Sequence, residues 1–444
     1  MGSYVARWAL LIFAIVLIII LRSPQAVLQP SLEAEDGTFI FPYYYAHRGA
    51  DALLRFQAGY LSLGMNLIAY LSVRLPTPFI QYGFAWLPLL LAIVSYVWLF
   101  GSRFGKWLGS DMTRALVCVL FVLAPLAQYH IYANTTYSIW TALFLLVLLV
   151  VTPLSPITWR NVVTWATVNG LIWSNPLSIL VGPLVLIRLV RERRGRLLHV
   201  LTLLNLALYN TVGVEKGAIF LGLTWLEALV KFLKAIGWTF VIVAGTAFRT
   251  VFGAPLFEWA ESGFWPAIAV WAVGVAIAAV IAGKQSQRLR PVLFVLGYVI
   301  FAFTFVSVLS RGPSILVPLN GAPRYIYLPT LAFIVMFVLL LDHFVISKQS
   351  RRRTTVYAAV VFLYVALNAQ LGHYFVATGL AARPPGRPQS PYLQSDAGNG
   401  RIVENFFAEL ARLEARSGSR KNIYLMSDKP GDWPIIADTR SAPR

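Results

Sequence analysis

Uninterrupted apolar runs recur along the chain, Ala9 to Leu21 and Leu87 to Phe100 among them, and they constrain the fold more than any other feature. Runs of this kind are too many and too free of charge to be hidden in one soluble core. The composition agrees: 58% of the 444 residues are hydrophobic and 12% charged, where a soluble domain carries about 25% charged residues. A water-soluble globular protein, a disordered chain and a coiled coil are excluded, which leaves an all-α polytopic membrane protein. The formal charge of +19 would point to nucleic acid in a soluble protein, but in a membrane protein it first suggests basic loops gathered on one side. Cys118, alone and inside an apolar run, excludes a disulfide framework and a Cys-based metal site.

A bilayer core about 30 Å thick takes about 20 helical residues. Eleven candidate spans follow, at roughly 8–21, 79–100, 114–127, 138–152, 160–174, 177–190, 197–212, 265–283, 291–310, 325–346 and 354–371. The first has Arg7 ahead of its apolar run and no small-residue cleavage site behind it, so it reads as an uncleaved anchor. A cytoplasmic N-terminus puts Arg103, Lys106, Arg114 and Arg160 inside, together with the basic clusters 188–196, 284–290 and 348–353. That arrangement requires residues 51–74 and 226–254 to be interfacial or re-entrant helices; if the second is a hairpin of two spans, the count becomes thirteen. The inside then holds 17 basic residues against Asp111 and Glu192, so +15 of the +19 is a topology signal that needs no nucleic acid.

The expected domains are a membrane-embedded unit over 1–371 with a long first outer loop at 22–78, a Pro-rich linker over 372–400, and a small extracytoplasmic tail over 401–444. Within the tail, an apolar helical stripe runs from Ile402 to Leu413 and a short strand is expected over Asn422 to Met426.

Glu33-Ala34-Glu35-Asp36 is the densest acidic cluster outside the tail. Adjacent carboxylates near a membrane surface repel each other, which makes one a candidate general base or the set a cation ligand. The same residues also read as a solvated loop with a helix N-cap at Asp36. This place in the first outer loop resembles that of the acidic motif of the C-type glycosyltransferase superfamily, integral membrane enzymes that take sugar from a polyprenyl-phosphate donor outside the cytoplasm. Phe39 to Tyr45 and Ala58-Gly59-Tyr60-Leu61 continue the resemblance to bacterial members that read Glu-Asp-Gly followed by Gly-Tyr-Leu. Arg324-Tyr325 resembles the Arg-Tyr element that opens a late span in many of them.

The resemblance implies an inverting sugar transfer in a bacterial cytoplasmic membrane, in cell-envelope or polysaccharide synthesis, onto a glycan, lipid-linked saccharide or protein. The base lies among Glu33, Glu35 and Asp36, with Asp36 favoured and Glu35 as its neighbour. Arg324 with Tyr325 would bind the donor phosphate through a charge-assisted fork; its alternative is an interfacial Arg beside an aromatic belt. Other cations on the same face are His47, Arg48, Lys216 and Arg311.

His130, Asn134, Asn175 and Tyr60 are candidates for the sugar pocket. His130 and Asn134 sit in a polar, aromatic segment between two spans, and Asn175 precedes Pro176, which breaks an apolar stretch. Five scattered histidines offer no paired spacing for a transition metal, and no cofactor is required, although a divalent cation on the acidic cluster stays open. Competing readings are a flippase of lipid-linked saccharides and a surface-polysaccharide polymerase or ligase working through Arg311 and Arg324.

Overall fold

The computed structural model describes residues 2–22, 27–28, 30, 32, 36, 40–57, 59–124, 133–152, 154–155, 158–192, 195–214, 223–263, 265–312, 322–346, 353–368, 423–426 and 435–438. Helix α1 (Gly2–Arg22) leads to the short α2 (Phe41–Ala46), to the hairpin of β1 (Phe56–Gln57) and β2 (Tyr60–Leu61), and to α3 (Leu63–Ser72). The hairpin turns at Gly59, whose φ of 84° suits a two-residue connection. Next come α4 (Ile80–Val97), α5 (Asp111–Leu123), α6 (Ser138–Val151), α7 (Thr158–Ile172), α8 (Gly182–Arg191) and α9 (Arg196–Leu208). The last helices are α10 (Trp225–Gly263), α11 (Trp265–Gln285), α12 (Leu289–Arg311), α13 (Tyr327–Leu341) and α14 (Arg353–Asn368). In the tail, β3 (Ile423–Met426) pairs antiparallel with β4 (Ile435–Asp438), so the strand expected at 422–426 is present.

The protein is a mostly helical membrane protein. Among the described residues, six helical segments are long and apolar enough to cross a bilayer: Tyr4–Arg22, Thr77–Phe100, Trp225–Gly253, Trp265–Gln285, Leu289–Ser310 and Arg324–Val345. Helices α5 to α9 and α14 are shorter, but their bounds fall within a few residues of the expected apolar segments. The centre of the bundle is α6, buried from Ser138 through Val150, beside α13, which is almost as completely enclosed. A helix that is apolar all round is stable enclosed by its neighbours, as here, or facing lipid. Polar pairs occur at this depth: the hydroxyls of Tyr96 and Tyr327 meet at 2.5 Å, and Thr141 Oγ1 donates back to the Ser138 carbonyl.

The basic loops come together at one end of the bundle. Arg7 pairs with Asp111 at 2.7 Å, and Arg114 pairs with the same carboxylate. Arg288 donates to the carbonyls of Gly105 and Lys106, tying the start of α12 to the loop after α4. At the same end, His343 meets Gln285 at 3.1 Å, and Arg188 donates to the Val150 and Thr152 carbonyls. Every described basic cluster that the charge bias assigned to one side therefore lies on one face.

Helix α10 packs against α11 and α12. It follows the end of α9, where Val214 bridges to Tyr60, and its Phe232 packs on Phe305 near the far end of α12. It finishes beside Trp265, the start of α11, whose other end carries Gln285 at the basic face. Its buried Ala235, Ile242 and Phe248 pack with Ile268, Val308 and Ile326, and its Phe240 packs on Phe301 at the middle of α12. Its course is broken at Gly253 (φ 83°), where two helical parts meet across a kink, and the first part, Trp225–Gly253, is long and apolar enough to cross a bilayer. Residues 51–74 form short elements, the longest being the ten residues of α3.

Candidate functional site

The far end is built around the turn that precedes α6. Asn134 Oδ1 accepts from the Tyr137 amide at 3.1 Å, and the Ser138 hydroxyl donates to the Thr135 carbonyl at 2.6 Å. These local bonds close the first turn of the helix and leave neighbouring amides pointing outward. Asp36 occupies that position. Its Oδ2 accepts from the Thr135 amide at 2.7 Å, while Oδ1 accepts from the Thr136 amide at 2.8 Å and the Thr136 hydroxyl at 2.7 Å. The residue is only 2% exposed. A carboxylate against helix amides is in the setting where a negative charge is best tolerated out of water.

Arg324 reaches the same turn from a later segment. It lies in the 3₁₀ turn Ala322–Ile326, and its Nη1 donates to the Tyr137 hydroxyl at 2.6 Å. Its guanidinium carbon stands 4.8 Å from the Tyr137 ring centre and 5.2 Å from that of Tyr325. Tyr325 packs edge-on against Trp140 at 5.3 Å, which places it on the first turn of α6 as well. An acidic residue from the first loop and a cation from a segment almost 300 positions later are thus held by consecutive residues, Thr136 and Tyr137.

No protein-family model and no curated protein sequence matches this chain.

The remaining candidates divide into groups. His47 stacks on Tyr43 at 4.3 Å, and Arg48 donates to the Tyr45 carbonyl at 3.2 Å. Two cations that sequence reasoning placed only on an interfacial segment join them: Arg55 covers the Tyr43 ring at 3.7 Å, and Arg74 covers Tyr70 at 3.3 Å while donating to the Arg48 carbonyl at 2.7 Å. Burial lowers the Arg55 pKa, with Tyr44 and Tyr43 opposing, and burial raises that of the Tyr44 hydroxyl against the opposing charge of Arg55. The aromatic residues in the same loop, among them Tyr43 and Tyr70, were the available signal for them.

Asn175 is 2% exposed and occupied with backbone: Oδ1 accepts from the Leu177 amide at 2.8 Å, and Nδ2 donates to the Ile139 carbonyl at 3.2 Å. It and Asn134 use their amides to form the turns in which they sit. The broken helix has a clear purpose. At the turn after α7, the Trp173 carbonyl accepts from the Leu63 amide at 2.7 Å and Ser174 Oγ accepts from the Gly64 amide at 3.1 Å, which anchors the start of α3. Tyr60 belongs to β2, and the adjacent Leu61 carbonyl accepts from the Tyr209 hydroxyl at 2.9 Å.

Glu33, Glu35, His130 and Lys216, and the side chain of Arg311, lie outside the described residues; the Arg311 backbone ends α12. Among the described residues there is no group of three or more His, Cys, Asp or Glu that could hold a metal.

Proposed function

We propose that the protein is a membrane glycosyltransferase of the C type, with eleven helical segments threading the bilayer and α3 and α10 lying toward one face. It would transfer a sugar from a polyprenyl-phosphate donor to a glycan, lipid or protein acceptor on the side opposite the basic loops, taken as the non-cytoplasmic side. The observation that carries this reading is the shared turn, in which Thr136 holds Asp36 and Tyr137 holds Arg324.

Inverting transfer needs a base for the acceptor hydroxyl and a cation for the departing lipid phosphate. Asp36, with Glu35 and Glu33 just before it in the loop, supplies the acidic group. Arg324 supplies a planar donor beside two aromatic rings, on which a phosphate and a sugar face can both be recognised. The charge separation suits the reaction: proton acceptance and phosphate stabilisation occur at opposite ends of the transferred group.

The test uses full-length protein in lipid vesicles with labelled prenyl-phosphate sugar, scored for release of lipid phosphate. Wild type is expected to release it, and Asp36→Asn is expected to lose release. Because Asp36 also closes the first turn of α6, the variant must elute as a monodisperse species before it is scored. Full release by such an Asp36→Asn protein removes the assignment, and lipid translocation without release by wild type favours a flippase.

A further inference from the structure

A second feature lies at the opposite, basic end and is independent of the transferase reading. A cavity of about 1150 Å³ opens between the end of α8, the end of α6 and the start of α12. Its body is apolar, with Val150, Leu184, Ile187 and Val295 among its walls. Cationic residues stand at the rim. Arg191 ends α8 and Arg290 lies in the first turn of α12, both exposed, and Trp107 and Phe294 also line the cavity.

The depth of the cavity is fixed by α12. Leu289–Ser310 is long and apolar enough to cross the bilayer, so Arg290 stands at headgroup level and Phe294 and Val295 one turn deeper, at acyl-chain level. An apolar cleft between helices at that depth faces lipid tails, not water. The polar rim is similarly ordered. Arg188, 8% exposed, donates to the Val150 and Thr152 carbonyls and makes a two-pronged pair with Glu192 at 2.9 and 2.8 Å. This pair is neutral as a unit and stiffens the mouth. What it leaves is the surplus positive charge of Arg191 and Arg290, one on each wall.

We propose that this cleft is a binding site for an anionic phospholipid of the leaflet that faces the basic loops, its phosphate between Arg191 and Arg290 and an acyl chain against Leu184, Ile187 and Val295. Basic clefts between membrane helices on such a face attract anionic headgroups, and a guanidinium on each side can fork to phosphate oxygens. A neutral lipid would gain the apolar contact but not the charge pairing. A soluble anion would gain the charge pairing but leave the apolar walls uncovered.

Native mass spectrometry of the full-length protein in detergent tests this, with phosphatidylglycerol and phosphatidylcholine as the probes. Wild type should retain phosphatidylglycerol and lose phosphatidylcholine. The double variant Arg191→Gln/Arg290→Gln should bind phosphatidylglycerol about thirtyfold more weakly, the scale set by the attraction of two surface cations for an anionic headgroup. Val295→Trp, which fills the cleft and keeps both cations, should also release the lipid. Equal retention of the two lipids by wild type, undiminished retention by the double variant, or undiminished retention by Val295→Trp would each overturn the proposal, as would a dimer whose interface occupies the cleft.

Discussion

Arg324 donates to the Tyr137 hydroxyl at 2.6 Å, one residue beyond the Thr136 amide and hydroxyl that hold Asp36. The turn ahead of α6 is therefore a common support for two oppositely charged groups drawn from distant parts of the chain. The support is rigid because α6 is buried from Ser138 through Val150, so both groups are held relative to an enclosed helix.

Arg324→Lys keeps the charge but loses the planar fork that can reach Tyr137 while covering two rings. With labelled prenyl-phosphate sugar in vesicles, the KM for donor is expected to rise about tenfold, as the loss of one charge-assisted bond would require, with a smaller change in kcat. A wild-type KM in this variant would separate Arg324 from donor binding.

Thr136→Val removes the hydroxyl that donates to Asp36 Oδ1 and keeps the side-chain shape and the backbone amide. A loss of about 1 kcal/mol in unfolding free energy is expected, with a fall in transfer rate. Thr136→Ser restores the donor and should recover both properties. Failure of Ser to do better than Val would show that the methyl group, not the hydroxyl, matters there.

Gly213→Ala is expected to destabilise the protein. A Cβ there would lie 2.2 Å from Cδ2 of the buried Tyr209 ring, whose hydroxyl holds the Leu61 carbonyl. Moving a fully enclosed ring costs about 1–3 kcal/mol. Thermal unfolding in detergent measures the loss, and Gly274→Ala, where a Cβ meets nothing within 4 Å, provides the control.

The Arg188–Glu192–His199 group predicts an acid-sensitive contribution to stability. Burial pushes the Glu192 carboxyl up, but hydrogen bonds from His199 and Arg188 and the charge of Arg188 outweigh it, so its pKa is held below the ordinary 4.5. A folded-state value below the unfolded one gives stability that is present above the ordinary value and lost as pH falls through the folded value. Glu192→Gln should therefore lower the unfolding temperature at neutral pH, by the equivalent of about 1 kcal/mol for a half-exposed pair, and the difference from wild type should shrink in acid. A difference that is the same at both pH values would remove the linkage.

Much of the architecture was legible in order of residues because a bilayer imposes simple demands. Apolar runs placed α4 to α9 and α11 to α14 within a few residues, and the basic clusters indicated which loops share a face. Asp36 stood out within the acidic cluster Glu33-Ala34-Glu35-Asp36, and Arg324 beside Tyr325 at the opening of a late span. Asn134 and Asn175 looked like pocket residues from composition alone, yet their amides are used by the turns in which they sit. Arg55 and Arg74 were visible as charges but not as partners of Tyr43 and Tyr70, since ring stacking depends on how the loop folds back.

Helix α10 marks the limit most clearly. Its length and hydropathy suit a span, and only the structure shows the break at Gly253 that divides it. By itself the sequence determined that this is a helical membrane protein with its basic loops on one side, because hydrophobic length and charge bias act locally along the chain. Tertiary structure alone decided that Asp36 and Arg324 meet one turn of α6, because hydrogen-bond partners 100 and 187 positions apart leave no periodic trace for a linear reading to find.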